Sequence, residues 1–162
     1  MNITFKKATE KDIPTIAALA NKIWNEHYIS IISQQQIDYM LREMYSDESL
    51  LQQMNEGHKF TLALIDNIAV GYISLSTRDH KNYYLNKFYI DVSEHRKGVG
   101  SGLFNHVLKQ LPTAEIFELA VNRENYKAVN FYFKLDFTIK HTIDLDIGGD
   151  FFMNDFLMIK VI

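Results

Sequence analysis

Apolar positions in the first third of the chain recur every three to four residues, which is the period of a helix packed on a core. Residues 13–24 carry such a stripe and predict a helix, with Thr9 as its cap and Pro14 in its first turn, where a missing N–H costs little. The same period predicts two further helices over residues 33–44 and 47–55. Three helices are therefore expected before the main run of strands.

From residue 59 onward, the pattern changes to the alternation of apolar and polar residues that is typical of strands. Strands are predicted over residues 3–6, 59–65, 68–76, 83–92, 116–121, 137–147 and 151–162, and helices over residues 99–111 and 125–135. The central strand–helix–strand unit must place its two strands in parallel. We therefore predict an α/β (α+β) fold in a single domain, residues 1–162, built on a mixed, mostly antiparallel sheet of six to seven strands.

Residues 88–103 combine the end of a strand, a charged turn and the start of a helix. Three glycines lie at this helix start: Gly98, Gly100 and Gly102. Glycine allows the backbone to approach a ligand closely, and the free N–H groups and dipole of a helix N-terminus favour an anion. The stretch is therefore suited to a phosphate or pyrophosphate, although a strand–turn–helix junction with incidental glycines is the plainer alternative.

Two common kinds of phosphate site do not match the surrounding residues. The stretch lacks the Gly-Lys-Ser/Thr ending of a P-loop. A dinucleotide site would need an acidic residue at the end of the next strand, where Asn122 and Arg123 stand instead. A later segment decides the interpretation. Asn125 can cap a helix, and Ala128 and Tyr132 lie on the inner face of that helix, Tyr132 about two turns from the cap.

Together the two segments resemble the GNAT family of acetyl-CoA-dependent N-acetyltransferases. The family's pyrophosphate motif, Gln/Arg-x-x-Gly-x-Gly/Ala, is matched by residues 95–100, His-Arg-Lys-Gly-Val-Gly. Its second motif, Asn-x-x-Ala-x-x-x-Tyr, is matched by Asn125, Ala128 and Tyr132. The resemblance covers essentially the whole chain, with a weaker likeness to bacterial polyamine (spermidine/spermine) N-acetyltransferases. It implies a sheet whose central parallel strands splay apart, with helices on both faces.

The resemblance also implies where acetyl-CoA, the expected co-substrate, would bind. The backbone of Phe88, Tyr89 and Ile90 would pair with its pantetheine arm, and Asn125 would contact it further along. The turn would hold the pyrophosphate through the N–H groups of Arg96, Lys97, Gly98, Val99, Gly100 and Ser101. His95 replaces the family's usual Gln or Arg, and because that contact is made mainly through backbone, His95 is expected to be an exposed bystander. No metal is implied.

Members of the family form a ternary complex in which the amine attacks the thioester directly. A backbone N–H near Ile90 would stabilise the developing oxyanion. Tyr132 would donate a proton to the departing thiolate as the general acid. The chain contains no cysteine, which excludes an acetyl-cysteine intermediate.

The general base is missing from its usual positions. An alkylammonium has a pKa of about 10.4 and must lose a proton before it can attack. Many relatives use a glutamate at the position of Tyr84 or at that of Ala120, and neither residue is a carboxylate. Glu118 lies on the same strand face as Ala120, about 6.6 Å further back, and is the candidate base, acting through a water. A solvated glutamate at a strand end is the alternative.

The acceptor amine is expected to lie against the helices that follow the first strand. Trp24, Tyr28 and Tyr39 are candidates for lining its site, because aromatic faces favour cationic amines, and Tyr84 is a further candidate. Four late aspartates could attract a polyamine or could belong to a solvated hairpin: Asp144, Asp146, Asp150 and Asp155.

Composition narrows the class of protein further. The chain has 162 residues, of which 47% are apolar and 23% charged, as is typical of a soluble globular protein. A net charge of -3 argues against nucleic acid as the main partner. The chain has no cysteine, no signal peptide and no apolar run long enough for a bilayer. A cytoplasmic protein without a membrane partner is therefore expected, and a homodimer is left open.

Three functions remain compatible with these observations. The first is N-acetylation of a small primary amine, such as a polyamine. The alternatives are acetylation of a peptide N-terminus or protein lysine, and a catalytically silent acetyl-CoA-binding sensor, which the missing base carboxylate would suit. Tyr132 argues against the sensor, because a protein that only binds acetyl-CoA needs no proton donor.

Overall fold

A computed structural model describes residues 1–162 as seven strands and five helices, with three short 3-10 turns. The strands are β1 (Ile3–Lys7), β2 (Lys59–Ile65), β3 (Ile68–Thr77), β4 (Asn82–Ile90), β5 (Ile116–Asn122), β6 (Thr138–Gly148) and β7 (Phe151–Val161). The helices are α1 (Ile13–His27), α2 (Gln34–Tyr45), α3 (Asp47–Asn55), α4 (Val99–Lys109) and α5 (Tyr126–Lys134). None of these helices is both long enough and apolar enough to cross a membrane.

Polar side chains set the start of α5 and the end of β4, near the glycine-containing stretch of residues 88–103. Helix α5 begins after Asn125, whose side chain accepts a hydrogen bond from the N–H of Ala128 at 3.3 Å. Strand β4 ends at Ile90, two residues earlier than predicted. There the buried Asp91 accepts from the N–H of Ser93 at 3.0 Å, which turns the chain into a short 3-10 helix.

The seven strands form one sheet in the order β1-β2-β3-β4-β5-β7-β6. All neighbouring strands are antiparallel except β4 and β5, which are parallel and joined through α4. The predicted mixed, mostly antiparallel sheet is therefore confirmed.

The parallel strands β4 and β5 pair over only part of their length. Their register runs from Asn82 opposite Ile116 to Leu85 opposite Leu119 and then ends. Residues 86–90 of β4 therefore have β3 on one side and no strand on the other. We call this stretch the free edge of β4. It confirms the splayed parallel pair that the family resemblance implied.

Each face of the sheet carries its own apolar core. Neighbouring side chains on a strand point to opposite faces, so Tyr72 of β3 enters one core and Ile73 enters the other. The core under α1, α2 and α3 has 14 buried residues and the core under α4 and α5 has 18, with none in common. The two helix groups are therefore anchored independently, one on each side of the free edge of β4.

Candidate active site

The free edge of β4 presents unpaired backbone groups to the gap between β4 and β5. The N–H of Asp91 donates to the carbonyl of Val70 in β3 at 2.8 Å, so residue 91 is turned towards β3. Because successive residues in a strand turn their backbone groups to opposite sides, Tyr89 also faces β3, whereas Phe88 and Ile90 face the gap. This corrects the expectation that the Tyr89 backbone pairs with a pantetheine arm, since that backbone is engaged in the sheet.

His95 is bonded to the free edge of β4, and so is not the bystander expected from the sequence. Its Nε2 donates to the carbonyl oxygen of Ile90 at 2.9 Å. The bond occupies the carbonyl of Ile90 and holds the following turn against the strand. The N–H of Ile90 stays on the gap side, where it can donate to an oxyanion.

The turn after β4 exposes several N–H groups at the start of α4. Arg96 and Gly98 adopt positive φ angles of 65° and 78°, and Gly98 is the N-cap of the helix. The N–H of Gly102 donates to the carbonyl of Gly98 at 2.9 Å, so the N–H groups of residues 99–101 have no partner within the helix. Together with the positive end of the helix dipole, these groups have the arrangement of an anion site.

Side chains are kept clear of this turn. A Cβ on Gly100 would lie 3.0 Å from Cζ of Phe131 in α5, so only glycine permits this approach of the two helices without a shift. The Nζ of Lys97 pairs with the carboxylate of Glu94 at 2.9 Å. The Lys97 side chain is thus turned towards Glu94 and is absent from the cavity lining, and contact of its backbone N–H with a phosphate stays a prediction.

A cavity of about 820 Å³ connects the turn, the free edge of β4 and the helices on the opposite face. This volume is within the range of small-molecule sites. On the side of α4 and α5 its lining includes Phe88, Ile90, Arg96, Gly98, Val99, Gly100, Ser101, Asn125, Lys127, Phe131, Tyr132 and Lys134. On the other side the lining includes Trp24, His27, Tyr28, Gln36, Met40, Tyr89, Met153 and Asp155. The structure thus brings together most of the predicted cofactor residues and two of the predicted acceptor residues.

Two lysines that were not assigned from the sequence also line the cavity. Lys127 and Lys134 are seven residues apart in α5, about two helical turns, and therefore lie on the same face of the helix. With Arg96 they give this side of the cavity three cationic side chains, which suit an anionic ligand such as a phosphate. Their seven-residue spacing was the available signal in the sequence.

Tyr132 is buried on α5 and lines the cavity. Its ring lies near Phe88 and Phe137, with centroids 6.2 and 5.7 Å away. Burial, followed by the neighbouring Tyr28, raises the pKa of Tyr132 well above its usual value. The hydroxyl is therefore protonated at neutral pH and is able to donate a proton.

Asn125 links the two sides of the cavity. It is buried, and besides capping α5 its Oδ1 lies 3.0 Å from Nε2 of His27, which donates to it. Its Nδ2 lies 3.3 Å from the hydroxyl of Tyr28. The side chain thus joins the start of α5 to the end of α1, and the predicted contact with acetyl-CoA would have to share a group that already has several protein partners.

Trp24 and Tyr28 are the two predicted acceptor residues that the structure brings to the cavity. Their rings stack with centroids 4.4 Å apart, and both line the cavity. Tyr39 is not in the lining, because its hydroxyl donates to the carbonyl of Ile147 at 2.8 Å and its ring supports the tip of the β6–β7 hairpin. Tyr84 is also outside the lining, since it lies where β4 and β5 are still paired.

Glu118 is not brought to the cavity. It lies opposite Tyr84 in the paired part of β4 and β5, and its carboxylate pairs with the Nζ of Lys140 at 2.9 Å. Its side chain is 32% exposed. The geometry therefore favours the alternative interpretation, a solvated glutamate on a strand, over the expected role of Glu118 as the base.

Asp155, expected only as one of four late aspartates, is a buried carboxylate in the cavity wall. It is 3% exposed, and its Oδ1 has no hydrogen-bond partner. Burial raises the pKa of Asp155 to about 6, although Arg123 acts in the opposite direction. The register of β7 on β5 places Asp155 opposite Asn122. That register depends on contacts distant in sequence, so the position could not be read from the chain alone.

Comparisons with known proteins agree with this geometry. Residues 28–143 match the acetyltransferase (GNAT) domain family. The chain belongs to the GNAT family. A curated relative, the spermidine N(1)-acetyltransferase of Thermoplasma acidophilum, is 30% identical over 160 residues, which cover 94% of this chain and 96% of the relative.

Solved structures of other GNAT proteins share the fold. The PaiA N-acetyltransferase of Thermoplasma acidophilum, in complex with coenzyme A, has a TM-score of 0.83 at 25% identity, with 100% of each chain covered. A GCN5-related N-acetyltransferase of Rhodopseudomonas palustris has a TM-score of 0.82 at 15% identity, covering 100% of this chain and 97% of that one. The GNAT domain and the curated relative identify the chain as an N-acetyltransferase, and the coenzyme A complex supports binding of acetyl-CoA or CoA.

Gly71 offers a test of the free edge in this GNAT protein. It lies in β3 opposite Ile90, and a Cβ there would lie 2.8 Å from the carbonyl oxygen of Tyr89 and overlap the side chain of Ile90. Since a backbone oxygen cannot yield without moving β4, Gly71→Ala is expected to weaken acetyl-CoA binding by about tenfold or more. It should also lower the free energy of unfolding by about 1–3 kcal/mol. Calorimetric titration and thermal unfolding measure the two effects.

Gly57→Ala is the matched control for this variant. Gly57 has a φ of 98°, so alanine is strained there, but nothing lies within 4 Å of the added Cβ. This variant should lose stability while keeping the acetyl-CoA affinity of the wild type. If Gly71→Ala also keeps that affinity, the position of the free edge does not control cofactor binding.

Proposed function

We propose that this GNAT protein transfers the acetyl group of acetyl-CoA to a primary amine of a small cationic molecule, such as a polyamine, by direct attack in a ternary complex. The curated relative of Thermoplasma acidophilum is named for acetylation of spermidine and aligns over nearly the whole chain. That name supports a polyamine acceptor, and the cavity supports the same class of acceptor on chemical grounds.

One observation carries the proposal, namely that a single cavity is lined by residues from both faces of the sheet, on either side of the gap between β4 and β5. On one side it has the free N–H groups at the start of α4 and three cationic side chains, which suit the phosphates of acetyl-CoA. On the other side it has the stacked rings of Trp24 and Tyr28 with the buried carboxylate of Asp155. Aromatic faces and a carboxylate both favour a positively charged amine. Donor and acceptor can therefore meet at the free edge of β4.

The residues at this edge divide the chemical step between them. As the amine nitrogen bonds to the thioester carbon, the carbonyl oxygen becomes an oxyanion, which the N–H of Ile90 stabilises from the edge of the gap. As the carbon–sulfur bond breaks, the sulfur needs a proton, and the buried hydroxyl of Tyr132 supplies it. The chain has no thiol that could carry the acetyl group in between.

A panel of amines tests the proposal. Release of free CoA is followed with a thiol reagent, which reports CoA alone because the protein has no cysteine. The panel compares spermidine, spermine and putrescine with a peptide bearing a free N-terminus and with Nα-acetyl-lysine. We expect kcat/KM to be highest for a polyamine.

The other outcomes separate the competing functions. A preference for the peptide or for the lysine derivative would favour a protein acetyltransferase and overturn the polyamine. A catalytically silent sensor has one observation in its favour, since neither Tyr84 nor Ala120 supplies a carboxylate. Tight acetyl-CoA binding without turnover of any amine would support the sensor.

A further inference from the structure

Asp155 is the one acidic side chain that is both buried and part of the wall beside the acceptor. It is 3% exposed, whereas Glu94, the other carboxylate in the lining, is paired with Lys97. Its Oδ1 is shielded and has no hydrogen-bond partner within the protein. Leaving a buried polar oxygen unpaired costs stability. The other carboxylate oxygen, Oδ2, is not shielded in this way, and it is the oxygen that a ligand hydrogen can reach from the cavity.

The groups that face Asp155 leave it free to take a proton. Tyr28 approaches from the end of α1 and Tyr84 from β4, and burial raises the pKa of both, so neither is charged near neutral pH. Arg123 at the end of β5 is the nearby cation, and its guanidinium is already bonded to Asp144 of β6 at 2.6 Å. Asp155 is therefore not neutralised by a salt bridge.

Asp155 lies close to Ala120, one of the two positions at which a glutamate base was expected. In the β5–β7 ladder, Ala120 lies opposite Leu157, and Asp155 is two residues along β7. Residues two apart on a strand share a face, so Asp155 and Ala120 are diagonal neighbours on the same side of the sheet, about 7–8 Å apart. A carboxylate on β7 can thus reach the space that a longer side chain at position 120 would have occupied.

We propose that Asp155 is the general base, which removes a proton from the acceptor ammonium before attack. This inference rests on the proposed function, because it assumes an amine acceptor in the cavity. An alkylammonium carries three protons on nitrogen and the amide product keeps one. Asp155 takes the first and returns it to solvent. The second leaves nitrogen as the C–N bond forms and the C–S bond breaks, and it replaces the proton that Tyr132 gives to sulfur.

Two other side chains have the right chemistry for this role, but each of them is bonded to another residue. Glu118 lies outside the cavity and pairs with Lys140. His27 lines the cavity, but its Nε2 donates to the side chain of Asn125 and so helps to hold the start of α5. Asp155 alone combines burial, an unpaired oxygen and a place beside the acceptor wall.

The test compares pH–rate profiles of the wild type, Asp155→Asn and Asp155→Glu with the best amine at saturating acetyl-CoA. For the wild type we expect kcat/KM to rise with pH through an acidic limb near pH 6, as Asp155 ionises. Asp155→Asn should lose about a hundredfold or more in kcat near neutral pH and should lack this limb. The loss of kcat should shrink as pH approaches the amine pKa of about 10.4, because the amine is then deprotonated in solution and needs no base.

Asp155→Glu keeps a carboxylate and should retain an acidic limb at a reduced rate. Asp136→Asn is the control for removal of a negative charge, since Asp136 is 88% exposed and already has a positive φ of 65°, which asparagine tolerates. It should match the wild type at every pH. Titration with acetyl-CoA checks that each variant keeps a folded donor site.

The possible results are distinct. A kcat for Asp155→Asn within threefold of the wild type, or an unchanged acidic limb, would overturn the base role while leaving the proposed function intact. A raised KM with unchanged kcat would also overturn it, because Asp155 would then only hold the ammonium. A defect of the same size at every pH would indicate a structural role and count against the proposal. An inactive wild type would overturn the proposed function, and the inference with it.

Discussion

Tyr132→Phe should lower kcat by about a hundredfold or more while leaving acetyl-CoA affinity nearly unchanged. The substitution removes one oxygen from a buried ring whose apolar contacts with Phe88 and Phe137 remain. The loss therefore falls on the proton that the departing sulfur needs and spares the groups that hold the cofactor. Because burial keeps the pKa of Tyr132 well above its usual value, the hydroxyl is present as the acid throughout the working pH range. Steady-state kinetics and cofactor titration measure the two quantities.

Tyr83→Phe is a close control for this variant. Tyr83 belongs to the same core and is equally buried, at 7% exposure, but it stacks on Phe117 away from the cavity. It removes the same atom from the same kind of environment and should leave kcat within threefold of the wild type. A similar kcat for Tyr132→Phe would remove Tyr132 from the acid role, and an equal loss in both variants would point to a structural cause.

Asp155→Asn is expected to make the protein more stable at neutral pH, by about 2–3 kcal/mol. Burial raises the pKa of Asp155 from 3.8 to about 6, so between these values the folded state holds a proton that the unfolded state has released. Stability from this group is therefore present below pH 4 and is lost as pH rises through 6. Each pKa unit corresponds to about 1.36 kcal/mol, and asparagine, which never ionises, avoids the loss.

Thermal unfolding at several pH values measures this effect without reference to activity. The melting temperature of Asp155→Asn should exceed that of the wild type by several degrees at pH 7.5. The difference should shrink towards zero at pH 4. Asp136→Asn, at an exposed position, should show no such dependence on pH. A variant that is less stable than the wild type at pH 7.5 would show that the charged carboxylate has favourable partners in the fold.

The fold was predictable because its signals are local. The change from a helical to an alternating period, the capping residue before α5 and the glycines before α4 each lie within a few residues of the element that they specify. The parallel pairing of β4 and β5 follows from the helix between them. The splay of these two strands came only from the family resemblance. The point at which they part, after Leu85 and Leu119, depends on tertiary packing and was not predicted.

The candidate site was predictable on the donor side and much less so on the acceptor side. The donor groups lie in two continuous segments whose spacing is fixed by one turn and one helix. The acceptor wall is assembled from α1, α2 and β7, which are distant in sequence. Tyr39 faces the β6–β7 hairpin and Glu118 faces Lys140, although their residue types suited the roles expected of them. Asp155 was obscured because its neighbours in the sequence suggested a solvated hairpin.

The separation of the two apolar cores has a consequence for the engineering of new acceptor preferences. Substitutions at distant sites without shared partners usually have additive effects on free energy. Trp24 and Met40 belong only to the core under α1, α2 and α3, whereas Phe104 and Phe137 belong only to the core under α4 and α5. A library confined to the first group can therefore vary the acceptor wall, and variants selected from it can be combined with stabilising changes in the second group without re-optimising either set.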